Sequence, residues 1–586
     1  MVTVAGSRGA RVLPVPVRGP FGRWLRERTS GLVALALAIG AGAGLGAIAF
    51  RWLVDSVTYL LSGHADYAAA PGAEHPWLPW LGPSFVVFAP ALAGLLYGPL
   101  VYRFAPEARG HGVPEVMYAV AERGGRIPGR VSVVKAVASA LCLGSGGSVG
   151  REGPIVQIGS ALGSSLGQAA RLPESRLRVL VACGAAGGIA ATFNAPLTGP
   201  FFAIELILRS FAAESFGAVV LASVTASVVG RAVLGNEQLL DLPRFSLASP
   251  VEYLLFMALG VVVGAVGVLF TRVLYLVEDG CDRVWRWPEW LRPAVGGLVL
   301  GGVLLALPEL YGVGYPVLQH AVRGEYVAGF LLVLLAGKLL ATSLTIGIGG
   351  SGGVFAPSLF LGATSGAAFG LLVHGWLPGM TAAAGVYGLI GMGAAFAGAA
   401  RAPITAVIVL FELTGEYSII LPLMTAIVIA TLVSRGLSRD TIYTAKLRRR
   451  GVELDRRRPF GGRTVADVAE PLPRPLAEGT GLAEAAHALA LSGHGILPVV
   501  GGDGAYHGCV TARAVAEALD DEQASVRTVA DLAELPPEVT LGATLTEALD
   551  ALTRAPGTGL PVLDERAGDL VGWITHQRVL AALDPG

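Results

Sequence analysis

Six apolar runs, at 31–61, 82–104, 214–235, 252–277, 327–349 and 418–434, punctuate the first three quarters of the chain. Each approaches or exceeds the ~20 residues that a membrane-spanning helix requires. Shorter apolar pieces lie between them, at 131–143, 154–170, 178–192, 195–208, 354–373 and 381–400, broken by glycine or proline. Half-length segments are tolerated in a membrane only where their ends are buried in protein or line a cavity. The pattern therefore predicts tilted, broken helices gathered around a central site, not a bundle of full spans. Beyond residue 464 the rhythm changes to short apolar strands alternating with helical segments, which predicts a small α/β unit.

The membrane part repeats itself. Gly147-Ser148-x-Gly150-x-x-x-Pro154, followed by Gly159 and Gly163, returns as Gly350-Ser351-x-Gly353-x-x-x-Pro357, followed by Gly362 and Gly366, every position offset by 203. Ala195-Pro196-Leu197-Thr198 with Glu205-Leu206 returns as Ala402-Pro403-Ile404-Thr405 with Glu412-Leu413, offset by 207. Shared Ser, Pro and Glu positions carry this beyond chance glycine matches, so two halves of about 200 residues are expected, of the kind that meet at a substrate site. The tail repeats as well. Val465-Ala466-Asp467 returns at 529–531, Leu497-Pro498-Val499 at 560–562, and Gly508-x-x-Thr511 at Gly572-x-x-Thr575.

Composition agrees with a polytopic membrane protein. The chain is 53% hydrophobic before its 81 glycines are added, only 15% charged, and has a mean hydropathy of +0.62. That excludes a disordered chain and a basic nucleic-acid-binding protein. The zero net charge is a cancellation. The tail from Thr464 holds 6 basic and 18 acidic residues, net −12, so residues 1–463 carry +12. Much of that surplus flanks the first and last apolar runs, at Arg8, Arg11, Arg18, Arg23, Arg26 and Arg28 and again from Arg435 to Arg458. The positive-inside rule then places both termini in the cytoplasm. No cleavable signal is expected, and the four cysteines lack the spacing of a disulfide or zinc framework.

Candidate chemistry sits in the glycine-rich loops. A helix N-terminus buried in a membrane presents unpaired N–H donors and a partial positive charge, and an anion satisfies both. GSGGSVGREGP (144–154), GGSGGVFAP (349–357) and Gly110-His111-Gly112-Val113-Pro114 are three such entries. Glu152 lies inside the first, where its carboxylate would compete with an anion for the same amides and act as a gate. No HExxH is present, and nothing pairs Ser148 with His111 as a catalytic dyad, so no enzyme is expected. A divalent-cation transporter, the remoter alternative, would need several converging acids.

Together GREGP (150–154), GHGVP (110–114), GGVFAP (352–357) and Tyr443 resemble the CLC family of chloride channels and chloride/proton exchangers, over about residues 31–446. The tail resembles a pair of cystathionine-beta-synthase (CBS) domains. The resemblance implies an all-α membrane domain of two inverted repeats, with about eighteen mostly tilted helical segments, followed by an α/β CBS pair. The domains would be a cytoplasmic segment 1–30, a membrane domain 31–446, a linker 447–463, and CBS domains 464–522 and 527–586. It also implies an integral protein of the plasma (inner) membrane, a homodimer with one chloride pathway per subunit and no cofactor. Glu152 would be the gate. The amides of Arg151 and Gly153 would line an outer anion site. Those of Val354 and Phe355, with the Tyr443 hydroxyl, would hold a central anion beside Gly110, His111 and Gly112.

Two departures follow from the same comparison. The family's central serine is His111 here, whose N–H can replace a hydroxyl donor and whose protonation would strengthen anion attraction. The family's proton-transfer glutamate aligns with Leu206, which carries no proton. Channel-like or uncoupled anion flow is therefore expected, with coupled chloride/proton antiport as the alternative and Glu205 as the proton-pathway candidate. In the tail, Ala514 and Arg578 stand where nucleotide-binding CBS modules place a ribose-binding acid, so a regulatory or dimer-packing role is expected before adenine-nucleotide binding.

Overall fold

The computed structural model describes residues 24, 28–235, 249–452, 464–520, 526–537, 539–555, 557–564 and 569–582. The chain divides into two compact units, Met1–Val452 and Glu453–Gly586. Residues 447–449, assigned to a linker from sequence, are helical in the first unit, and the rest of that linker from 453 lies outside the described residues. So do the arginines of the first 27 residues and Arg456 to Arg458.

The first unit is all-helical. Its first half comprises α1 (Thr29–Ser62), α2 (Phe85–Phe104), α3 (Val113–Glu122), α4 (Arg130–Gly144), α5 (Glu152–Ala169), α6 (Glu174–Phe193), α7 (Thr198–Phe202) and α8 (Ala213–Leu234). The second comprises α9 (Glu252–Val284), α10 (Arg292–Ala306), α11 (Tyr315–Val322), α12 (Ala328–Gly347), α13 (Phe355–Trp376), α14 (Ala384–Ala400), α15 (Pro403–Thr414), α16 (Ile420–Leu437) and α17 (Thr444–Arg449). Among the described residues, nine helical stretches are long and apolar enough to cross a membrane, while α14, α15 and Thr198–Leu208 are shorter.

Three spans correct the sequence expectation. The apolar pieces 178–192 and 354–373 read as half-length, yet α6 runs 20 residues and α13 runs 22. Their glycines do not break the helices because they serve close packing. A Cβ on Gly159 of α5 would lie 2.1 Å from the Gly184 carbonyl oxygen of α6, and one on Gly362 of α13 would lie 2.2 Å from that of Gly391 on α14. The third span, Glu289–Ala306, went unread because its apolar core after Arg292 is short of a full crossing.

The second unit holds two copies of one α/β module. The first has β1 (Leu476–Ala477), α18 (Leu482–Ser492), β2 (Ile496–Val500), β3 (Tyr506–Thr511) and α19 (Ala512–Leu519). The second has β4 (Val539–Thr540), α20 (Leu545–Arg554), β5 (Gly559–Leu563), β6 (Leu570–Thr575) and α21 (His576–Ala581). In each three-stranded sheet the central strand pairs parallel to the short strand and antiparallel to the last. The repeated Val-Ala-Asp is explained by matching capping boxes, Thr464 with Asp467 and Thr528 with Asp531. The modules also bond each other reciprocally: Glu470 pairs with Trp573 of β6, and Glu534 with Cys509 of β3.

Candidate functional site

The glycine-rich loops of the two halves meet and bond each other. Gly150 donates to the Gly353 carbonyl at 2.8 Å, and Gly353 returns a bond to Gly150 at 2.6 Å. Beside them Gly110 donates to the Gly350 carbonyl at 3.0 Å. Groups packed this close leave no room for side chains at Gly150 and Gly353, while Gly110 has open space but a left-handed backbone, φ +80°.

Glu152, the first residue of α5, is 1% exposed and reaches across to the other half. Its Oε1 accepts the N–H groups of Phe355 at 2.7 Å and Ala356 at 3.1 Å, both in the first turn of α13. A carboxylate here completes orphan donors and faces the positive end of the α13 dipole. Cβ atoms on Gly150 and Gly353 would fall 2.1 and 2.2 Å from its oxygens, so the cradle is shaped for one small anionic group. Oε2 is buried with no protein partner. Val354 and Phe355 are buried at the same helix start, and the Ala356 amide is a donor that sequence reasoning missed.

His111 and Tyr443 lie together beside the loops, 3% and 1% exposed, with ring centroids 6.1 Å apart. Gly153 packs against the His111 carbonyl: a Cβ there would approach it to 2.2 Å. The His111 Nε2 meets the Tyr275 hydroxyl at 3.4 Å, and that hydroxyl donates to the Ile442 carbonyl at 2.6 Å. Tyr443 leads directly into α17, which salt bridges hold down. Lys446 pairs with Glu278, Arg449 binds Asp279 through two bonds (2.6 and 2.8 Å), and Arg450 binds Glu115 of α3 likewise. Arg151 turns away from the loops, its guanidinium 5.1 Å from the Tyr315 ring centroid.

Two buried lysines, absent from the sequence reading, hold the loops in shape. Lys135 of α4 donates to the carbonyls of Ala108 (2.9 Å) and Gly110 (2.7 Å). Lys338 of α12 donates to those of Gly312 (2.9 Å) and Val313 (3.1 Å). The signal was present: the lysines are 203 positions apart, and Gly110-His111-Gly112-Val113-Pro114 is echoed 202 positions later by Gly312-Val313-Gly314-Tyr315-Pro316.

Glu205 and Glu412 form a second reciprocal pair. Glu205 accepts from the N–H groups of Ile404 (3.2 Å) and Thr405 (2.8 Å) and from the Thr405 hydroxyl (2.6 Å), at the start of α15. Glu412 accepts from the N–H groups of Leu197 and Thr198, each at 2.7 Å, and from the Thr198 hydroxyl at 2.6 Å. Glu205 lies in a π-helical turn, Ala203–Leu208, that continues α7, whereas its twin sits in a regular helix. Leu206, one residue on, is a buried apolar side chain. Ser148 spends its hydroxyl on the Leu310 carbonyl at 2.7 Å and does not engage His111.

In the second unit, Thr511 and Thr575 use their hydroxyls to cap α19 and α21, accepting from the N–H groups of Ala514 (3.2 Å) and Arg578 (3.3 Å). The Arg578 guanidinium pairs with Glu470. Burial pushes the Cys509 thiol up to about 11.

Comparison with known proteins agrees with this architecture. The sequence profile described as "Voltage gated chloride channel" matches residues 93–435, and that of the CBS domain matches residues 529–585. A ClcB-like protein of Ralstonia nicotianae is 32% identical over 422 residues, 71% of this chain and 97% of the relative. The H(+)/Cl(-) exchange transporter ClcA of Vibrio cholerae is 38% identical over 360 residues, 60% of this chain and 76% of the relative. Among solved structures, a slow cyanobacterial Cl-/H+ antiporter superposes with a TM-score of 0.65 at 28% identity, covering 72% of this chain and 99% of the other. A eukaryotic CLC transporter shares the fold over 93% of this chain and 97% of its own, with a TM-score of 0.60 at 20% identity. With its paired glycine loops and its carboxylate seated across the two halves, the chain belongs to the voltage-gated chloride channel (CLC) family.

Proposed function

We propose that the protein carries chloride across the membrane through a pathway gated by Glu152, and that flow is channel-like or uncoupled from protons. One observation carries the gating: the Glu152 carboxylate occupies amides of Phe355 and Ala356 that a dehydrated anion would otherwise use. Rotation of that side chain, on protonation or displacement, frees the donors for chloride. Arg151 and Gly153 at the start of α5, and Val354, Phe355 and Tyr443 on the other side, are the remaining ligands of this reading, with Gly110, His111 and Gly112 shaping the inner end. In this reading each subunit of a homodimer in the plasma membrane holds its own pathway, with both termini cytoplasmic.

Uncoupled flow rests on Leu206, which offers no proton acceptor. The reciprocal caps give Glu205 three donors already, which supports a holding role for it over a relay. Coupled chloride/proton exchange is the second reading, favoured by the exchange activity named for the ClcA relative. Flux measurements on purified protein in liposomes separate the two. Chloride efflux that drives no uphill proton movement is expected, and chloride-driven proton pumping would replace this reading with exchange.

A further inference from the structure

The hydrogen bonds around His111 fix which ring nitrogen can carry the proton. The Tyr275 hydroxyl has one hydrogen, and it goes to the Ile442 carbonyl at 2.6 Å. Its oxygen is left as an acceptor, so the contact at 3.4 Å is made by His111 Nε2–H. In the neutral ring Nδ1 then bears a lone pair. That atom is buried and has no partner in the protein.

A lone pair there repels an anion, while a protonated ring would donate to one. The cations on the elements around the ring are Lys135, bound to the carbonyl of the preceding Gly110, and Lys446 and Arg450, which follow Tyr443. Lys446 is paired with Glu278, Arg450 with Glu115, and Lys135 is bound to the carbonyls of Ala108 and Gly110. Tyr275 and Tyr443 are the phenols against the ring, and Glu152 is the carboxylate of the neighbouring loop. A protonated ring finds no acceptor in the protein for an Nδ1–H while the site is empty. An anion beside the ring supplies one.

We infer that His111 couples anion occupancy of the inner site to uptake of a proton at Nδ1, so that the ligand of that site is in effect an anion together with a proton. The coupling is reciprocal: whatever factor the proton adds to anion affinity, the anion adds to proton affinity. This rests on the anion-pathway reading above and adds a regulation to it. Lower pH would tighten anion binding through His111 independently of the Glu152 gate.

Isothermal titration calorimetry of chloride into the purified full-length protein tests this. Glu152→Gln serves as background, because it removes both the competing carboxylate and its proton. Titrations at pH ~5 to ~8, where an imidazole titrates, in buffers of different ionisation enthalpy, count the protons taken up. Uptake approaching one proton per chloride is expected at the upper end, with affinity falling by up to about tenfold per pH unit. Adding His111→Asn, or His111→Ser where the asparagine variant does not fold, should abolish uptake. Tyr275→Phe should also flatten the pH dependence while binding persists, because the ring is then free to place its one proton on Nδ1. Chloride binding without proton uptake, or uptake that survives loss of the imidazole, would overturn this inference and leave the anion site standing. Absence of chloride binding at every pH, in both the wild-type protein and the Glu152→Gln background, would overturn both.

Discussion

Thr405 gives both its N–H (2.8 Å) and its hydroxyl (2.6 Å) to the carboxylate of Glu205, a residue of the opposite half. The same bonds join Thr198 to Glu412. Bonds to a charged acceptor contribute about 1.5–3 kcal/mol each, and orphaned donors at a helix start add to the loss. Glu205→Ala should therefore lower the melting temperature of the detergent-solubilised protein. Glu205→Gln, where it folds, should leave the ratio of protons to anions at its wild-type value. A changed ratio would make Glu205 a proton carrier.

Replacing Glu152 by glutamine keeps the side chain's size and removes its charge. The amides of Phe355 and Ala356 then lose their strongest acceptor and become available to chloride. Chloride efflux from liposomes at neutral pH should rise several-fold and lose most of the pH dependence that titration of the gate confers. Unchanged efflux would mean that the carboxylate does not obstruct the pathway.

Lys135 closes the loop that presents His111 by binding two carbonyls at once. Lys135→Met matches its length and leaves the Ala108 carbonyl with only the Ser351 hydroxyl (2.8 Å) and that of Gly110 with only the Gly352 N–H (3.4 Å). With two bonds from a charged donor lost, at about 1.5–3 kcal/mol each, thermal stability should fall clearly, with a fall in chloride affinity as the 108–112 loop relaxes. Calorimetric binding and melting on the same preparation separate the two effects.

The second unit offers adenine nucleotides little. Thr511 and Thr575 are already engaged as helix caps, and Arg578 is tied to Glu470. Titration of the full-length protein with ATP or AMP should show no micromolar binding. A saturable micromolar heat would mean that these caps and this ion pair give way to a ligand.

The parts of this molecule legible in its sequence are those where chemistry restricts the residue type. Gly150, Gly353 and Pro357 had to recur because two backbones and a carboxylate share one small space. Their spacing located the loops, Glu152 and the two halves. Less was visible where a residue's task depends on a partner far along the chain. Nothing local to Lys135 or Lys338 announces two carbonyl acceptors 25 to 27 residues away. The glycines within 178–192 and 354–373 looked like breaks, because a sequence does not tell a glycine that ends a helix from one that admits a neighbouring helix. The fate of Glu205 was undecidable for the same reason: its acceptor role is written 200 residues away, in Thr405.

The loop-to-loop bonds between Gly150 and Gly353 constrain how a transport cycle can run. A pump that alternates by rocking one half against the other needs a seam between them that opens. Here the seam is stitched at its waist by paired backbone bonds and at its rim by the crossed carboxylates of Glu205 and Glu412. Swinging the halves apart would break all of these together. Under the proposed gating, motion need involve only parts lighter than a helix, and the smallest of them, the Glu152 carboxylate turning in its cradle, would change which side of the membrane an ion can see.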